Sequence, residues 1–346
     1  MQFYNEEGYF EVENVLRTKL PFIFVVGGRG VGKTFSALKY VIEHNIKFVF
    51  LRRTQSQVDL ISKQEFSPFT PVANYLGINI VSVPLSKYNT GFYKAETDDE
   101  GRLSPVGPCL GYSMALSTIS NLRGFSAEDV TLMIFDEFIP ERHERPIKAE
   151  ASALFNAYET LNRNREIQGR DPIQLLCLSN SNEAGNPIFT ELKLISKVET
   201  MKKRGQIYSL DYKRGIGIFM LDDSQISKKK KETVLYKATS GSEFEQMALF
   251  NEFSELKTDC IKPMPIKEYN PICCVGEITF YKHKSNGTYY CTTMKVGSPD
   301  EYGADETDRK RWFRKYSYLW TAYMKNKIWF EDAASEIIFN KYVGNR

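Results

Sequence analysis

The chain has 346 residues, 42% of them hydrophobic and 26% charged, which is enough to bury a substantial core and to divide into two domains. Its formal net charge of +3 excludes any argument for nucleic-acid affinity from total charge, so local clusters must carry that case. No stretch approaches the roughly 20 consecutive apolar residues of a membrane span, and Met1 to Glu7 lacks a basic region followed by an apolar run, so a cytoplasmic protein without membrane association is expected.

In chain order, residues 21–26 (Pro-Phe-Ile-Phe-Val-Val) read as a short buried strand ending in glycines. Lys33 to Ile42 shows helical spacing, and Lys47 to Leu51 is a second β-rich run. Between the first strand and the helix lies Gly27-Gly28-Arg29-Gly30-Val31-Gly32-Lys33-Thr34, which fits GxxxxGK[ST]. Glycines let backbone N–H groups wrap phosphate oxygens, and the helix N-terminus adds partial positive charge. Lys33 reaches the β- and γ-phosphates, and the Thr34 hydroxyl holds Mg²⁺. Arg52 and Arg53 close the strand Phe48 to Leu51 and are expected to emerge on the nucleotide edge of the sheet, where Arg53 is assigned to nucleotide binding.

Residues 131–135 (Thr-Leu-Met-Ile-Phe) form another buried strand that delivers Asp136 and Glu137 to its C-terminal end, the end at which open α/β sheets bind ligands. Asp136 is expected in the Mg²⁺ shell, and Glu137 to orient the attacking water. That glutamate favours repeated hydrolysis over a slow switch. The lack of an Asn-Lys-x-Asp segment favours ATP over GTP. A helix over 148–166 carries Ala151, Leu154, Phe155, Tyr158 and Leu161 on one face, and a further strand runs from Ile173 to Ser179. Strands alternating with helices predict a mostly parallel sheet. At the end of that helix Arg163 reads as a candidate arginine finger acting in trans, or as a surface arginine capping the helix; Arg165 lies beside it. Leu176 to Asn182 is a strand ending in Ser and Asn, with Asn180 either reading the γ-phosphate or sitting in a simple turn.

After about residue 197 the texture becomes basic, with Lys202, Lys203 and Arg204, then Lys213 and Arg214, then Lys228, Lys229, Lys230 and Lys231. The stretch 198–254 reads as a connector between an ATPase domain at 1–197 and a third segment at 255–346. Lys202-Lys203-Arg204 and Lys228 to Lys231 are candidate phosphate-backbone contacts or solvated charge runs, and Arg309, Lys310, Arg311, Arg314 and Lys315 form a further basic cluster. In the third segment, β runs at 271–282 and 288–296 are joined by Lys284-Ser285-Asn286-Gly287, a hairpin signal, and a helical tail runs from Asp308 to Tyr342. Six cysteines, none in a CxxC pair, and only three histidines predict reduced and mostly buried thiols.

The ordered set Phe24 to Thr34, Phe48 to Thr54, Ile134-Phe135-Asp136-Glu137-Phe138, Arg163-Asn164-Arg165-Glu166 and Cys177-Leu178-Ser179-Asn180 resembles the DNA-packaging ATPases of phi29-like phages. These are relatives of large terminases and of the FtsK/HerA translocases. The resemblance covers the first 195 residues or so and continues more weakly through Glu243 to Met247. It implies an ASCE-type P-loop domain, Lys33 and Thr34 as the Walker A pair, Asp136 and Glu137 as the Walker B pair, Arg163 as the trans-acting finger and Asn180 as a sensor. It implies a homomeric ring, typically of five subunits, that docks on a viral portal in the host cytoplasm and drives double-stranded DNA into the procapsid with ATP and Mg²⁺. In some such systems a packaging RNA links motor to portal. The resemblance also implies a smaller α+β, RNase H-like C-terminal domain. Its candidate strands hold too few clustered carboxylates for two metals, so a domain that binds without cutting is expected. Other nucleic-acid translocases and a nucleotide-gated scaffold share the same site chemistry and remain alternatives.

Overall fold

The computed structural model describes residues 2–122, 128–140, 147, 149–180, 185–221, 224–242 and 260–344. The chain forms two compact units. One comprises Met1–Glu183 with Gly205–Glu252, the other Ala184–Arg204 with Phe253–Arg346.

The first unit is built on a nine-stranded sheet, formed by β1 (Phe22–Val26), β2 (Phe48–Arg52), β3 (Asn79–Pro84), β4 (Asn89–Thr97), β5 (Leu103–Ala115), β6 (Leu132–Asp136), β7 (Gln174–Ser179), β8 (Tyr208–Asp211) and β9 (Ile216–Met220). Their order across the sheet is β3-β4-β5-β2-β6-β7-β1-β9-β8. The strands from β5 to β9 pair in parallel, while β3, β4 and β8 add antiparallel edges. The central strands β1, β2, β6 and β7 are apolar almost throughout, as strands covered on both faces must be. Helices Lys33–Glu43 and Glu150–Asn162 are among those joining the strands. Helix Gln55–Ile61 starts at a capping box on Thr54. β5 passes so close to β2 that a Cβ on Gly111 would lie 2.5 Å from the Phe48 ring, opposite in register, so only glycine fits there.

Two expectations change here. The stretch 198–254 is not only a connector, because β8 and β9 add to the large sheet and β9 pairs along the whole of β1. The short run Ile216-Gly217-Ile218-Phe219-Met220 is a buried parallel strand whose signal is masked by the basic residues around it. Conversely, helix Ile195–Lys203, with Lys202 and Lys203 in its last turn, belongs to the second unit. The helix expected over 148–166 is described over Glu150–Asn162 and ends where Arg163 takes a positive φ of 48°.

The second unit holds a five-stranded sheet of β10 (Tyr269–Val275), β11 (Ile278–His283), β12 (Tyr289–Thr292), β13 (Asp300–Tyr302) and β14 (Ile328–Phe330), ordered β13-β10-β11-β12-β14. β11 alone runs against the rest. The run 271–282 is therefore two strands and not one: the chain reverses at Gly276, whose φ is 54°, and the Asn286-Gly287 step makes the second reversal. The tail is likewise broken, into helices Glu306–Tyr316, Tyr318–Met324 and Ala333–Gly344 with β14 between the last two. Aromatic packing fills this core, with Phe280 stacked on Trp312 at 5.7 Å and Phe339 edge-on to Phe280 at 5.6 Å. All six cysteines are free thiols and five are buried. Trp312 Nε1 donates to Cys273 Sγ at 3.3 Å. Among the described residues, no helix is long and apolar enough to cross a membrane.

Candidate active site

The four strand ends that matter are neighbours because the sheet order sets β1, β7, β6 and β2 side by side, all pointing the same way. β1 releases the chain into the glycine loop. Gly30 and Gly32 have φ of 76° and 86°, a left-handed backbone that side chains resist, and Gly32 is the N-cap of helix Lys33–Glu43. The loop is backed by Leu221, whose Cβ would lie 2.6 Å from a Cβ on Gly27 and whose N–H donates to the Val26 carbonyl at 2.7 Å. Val31 is buried, and its carbonyl accepts from Phe10 N at 2.8 Å.

Lys33 is folded onto this loop. Its Nζ donates to the carbonyls of Gly27 at 2.8 Å and Gly28 at 2.7 Å. Burial pushes the ammonium down to about 7; Asp136 opposes that shift, whereas Lys230 and Arg29 add to it.

Thr34 Oγ1 donates to Asp136 Oδ1 at 3.0 Å, bringing a hydroxyl and a carboxylate that lie 102 residues apart to one point. Two hard oxygen donors at the mouth of a phosphate loop fit a small divalent cation. Arg52 closes the group: Nη1 lies 2.7 Å from Asp136 Oδ2 and Nη2 lies 2.7 Å from Glu137 Oε2. Glu137 has a positive φ of 58°, a strained conformation for a residue with a Cβ and of the kind that clusters at working sites. Phe138 N then bonds the Leu178 carbonyl at 3.1 Å, tying the turn to β7. Asn180 follows directly after β7, between the strand ends that carry the loop and the carboxylates.

The structure separates the two arginines. Arg53 is 1% exposed and forms a two-pronged pair with the fully buried Glu150, Nε to Oε1 at 2.7 Å and Nη2 to Oε2 at 3.0 Å. Successive residues on an extended chain face opposite ways, so Arg52 reaches the carboxylates while Arg53 anchors a helix start. Sequence reasoning assigned nucleotide binding to Arg53; Arg52 is the residue at the carboxylates, and only the register of β2 reveals it.

The arginines at 163 and 165 separate in the same way. Arg165 is buried and its Nη2 donates to the carbonyls of Glu128 and Val130. Arg163 leaves the helix end with its side chain 43% exposed and Nη1 3.8 Å from Glu128 Oε1.

A family model of the Podovirus DNA encapsidation protein (Gp16) matches residues 4–262, well over half of the chain. The chain belongs to that family. It is 27% identical over 257 residues to the DNA packaging protein of Bacillus phage phi29, an alignment covering 72% of this chain and 66% of that protein. Two solved structures share the fold, each with a TM-score of 0.65. The Phi-28 gp11 DNA packaging motor is 20% identical, with 98% of both chains covered. The bacteriophage Phi-29 genome packaging motor assembly is 19% identical, with 97% of this chain and 98% of the other covered.

The basic residues of this encapsidation-family chain are distributed unevenly. Lys203, Arg204, Lys228, Lys229 and Lys231 are exposed. Lys202 is half-buried with Glu199 3.4 Å away, and that burial pushes its ammonium down to about 7. In the tail, Lys310, Arg311 and Lys315 are paired with Glu306, Asp308 and Asp300. Lys230 is turned toward the phosphate loop. The sequence positions Ser181, Asn182 and Glu243 to Met247 lie outside the described residues.

Proposed function

We propose that this chain is the ATP-hydrolysing subunit of a viral DNA-packaging motor, a homomeric ring that drives double-stranded DNA through a portal into a procapsid. The observation that carries the reading is the meeting of Thr34, Asp136, Arg52 and Glu137 at the mouth of the glycine loop, in a chain of the encapsidation family.

The residues fit MgATP. The loop's N–H groups and the start of helix Lys33–Glu43 receive the phosphates, and Lys33 exchanges two backbone carbonyls for phosphate oxygens. Thr34 and Asp136 would hold Mg²⁺, which would supply charge neutralisation for phosphoryl transfer. Glu137 orients and polarises the attacking water, and Arg52 pairs with that carboxylate. Arg163, whose side chain is the more exposed of the two helix-end arginines, serves a neighbouring subunit's site, and Asn180 is the sensor that couples loss of the γ-phosphate to movement. Lys203, Arg204, Lys228, Lys229 and Lys231 track the phosphate backbone without reading sequence, as a motor stepping along any DNA requires. The second unit is RNase H-like and binds without cutting; a packaging RNA is a further partner for its basic surface.

The test is packaging with purified procapsids, double-stranded DNA and ATP. DNA should become nuclease-protected only with hydrolysable nucleotide, and Glu137→Gln should abolish both turnover and protection. Protection by Glu137→Gln at the wild-type rate would overturn the proposal.

A further inference from the structure

Within the four-lysine run, Lys230 stands apart. Its Nζ donates to the Arg29 carbonyl at 2.8 Å, and a Cβ built on Gly30 would lie 1.8 Å from Nζ and 2.6 Å from Cε. The ammonium thus rests on the crest of the glycine loop, 201 residues away in sequence from the carbonyl it caps. Lys33 already occupies the carbonyls of Gly27 and Gly28, so three consecutive loop carbonyls are held by two ammonium groups.

The placement is built. Ser224 caps helix Gln225–Lys230, its Oγ accepting from Ser227 N at 3.0 Å, and both serines are buried. Gln225 packs against Gly8, whose Cβ would meet its Cβ at 2.9 Å, and the same N-terminal segment bonds the loop through Phe10 N and the Val31 carbonyl. Leu221 lies against Gly27 and Lys230 against Gly30, so two residues that follow β9 in sequence contact the loop at separate points.

The charges are poorly balanced. Burial lowers the affinity of the Lys230 amine for its proton, and nearby Arg29 lowers it further. Cations gathered at a helix N-terminus that is itself partly positive are relieved by a polyanion.

We propose that Lys230 is a second phosphate-binding lysine of the nucleotide site, moving from the Arg29 carbonyl to the β- and γ-phosphates of a bound nucleoside triphosphate. The assignment rests on the ATPase reading and adds to it a residue from the segment that follows β9.

The experiment is equilibrium binding of MgATP, MgADP and adenosine to the full chain, by fluorescence of labelled analogues. Lys230→Ala should weaken MgATP binding by roughly 10- to 100-fold, the range for losing a charge-assisted hydrogen bond, and adenosine binding by less than about threefold. Lys230→Arg should restore most of the loss. Lys237→Ala, at an exposed lysine paired with Glu232, should behave as wild type. Lys230→Gln replaces Lys230→Ala if the alanine variant fails to fold.

Unchanged MgATP affinity in the Lys230 variants, beside loss of binding in Lys33→Ala, overturns the assignment and leaves the ATPase reading standing. So does weaker DNA binding with unchanged nucleotide affinity. Failure of wild type to bind MgATP overturns both.

Discussion

The Arg53–Glu150 pair gives the sharpest thermodynamic expectation. Both side chains are out of water, at 1% and 0% exposure, and their two-pronged contact fastens the first turn of helix Glu150–Asn162 to the end of β2. Glu150→Gln leaves a guanidinium buried without a counter-charge, which costs about 3–5 kcal/mol. For a unit of this size, 1 kcal/mol moves the melting temperature by roughly 2–4 °C, so a drop of roughly 6–20 °C is expected. The double variant Arg53→Met/Glu150→Leu removes both charges and should recover most of that loss, because well-packed apolar residues can replace a buried pair at little cost. Urea denaturation of wild type, Arg53→Met, Glu150→Leu and the double variant closes a thermodynamic cycle. Single variants costing under 1 kcal/mol, or a double variant no better than the worse single, would refute the reasoning. MgATP affinity of the folded Glu150→Gln protein should stay within about twofold of wild type, and a tenfold loss would return Arg53 to the nucleotide site.

Other expectations follow from the same geometry. Mixing Arg163→Ala subunits with Glu137→Gln subunits should restore part of the DNA-stimulated ATPase rate that each lacks alone; strict additivity of the two inactive preparations would remove the finger from trans. Because Glu137 has φ of 58°, Glu137→Gly should be more stable than Glu137→Ala by about 1 kcal/mol in denaturant titration, both having lost the carboxylate. Gly111→Ala should destabilise by about 1–3 kcal/mol through collision with Phe48, and Gly111→Ala/Phe48→Leu should recover part of it. Burial, followed by Arg309, pushes Lys341 down to about 8, against Glu191 and Glu277. Its folded value lies below the unfolded one of 10.5, so the unfolded chain holds the extra proton between those values and stability rises with pH across that window. Lys341→Met should therefore stabilise by about 1 kcal/mol at pH 7, with the gain shrinking through pH 8 to 10.5 in melting scans.

The loop and the carboxylates were legible because each depends on a local rule. Glycines at 30 and 32 meet a left-handed requirement, and an unbroken apolar run ending in Asp136-Glu137 can only be a covered strand with a polar end. The meander β3-β4-β5 was not, since Pro84, Gly91, Pro105 and Gly107 interrupt any period-two pattern, and a register shift between Phe92 and Lys94 moves side chains across faces. β13 and β14 have three residues each, too few to show a period. Arg52 and Arg53 are alike in sequence, and only the facing of an extended strand separates a site residue from an anchor. Lys230 hides in a charge run, and only its bond to a carbonyl far away in the chain sets it against the loop.

The position of β9 also bears on synthesis. β1 is finished by residue 26, yet one of its two flanking strands comes from Gln174–Ser179 and the other from Ile216–Met220, after the chain has left the first unit and returned. During translation β1 therefore waits for nearly the whole first unit, and its last hydrogen-bonding edge stays open until the return is made. A fragment ending near residue 197 would keep that edge permanently and should self-associate, whereas one that includes β8 and β9 closes it.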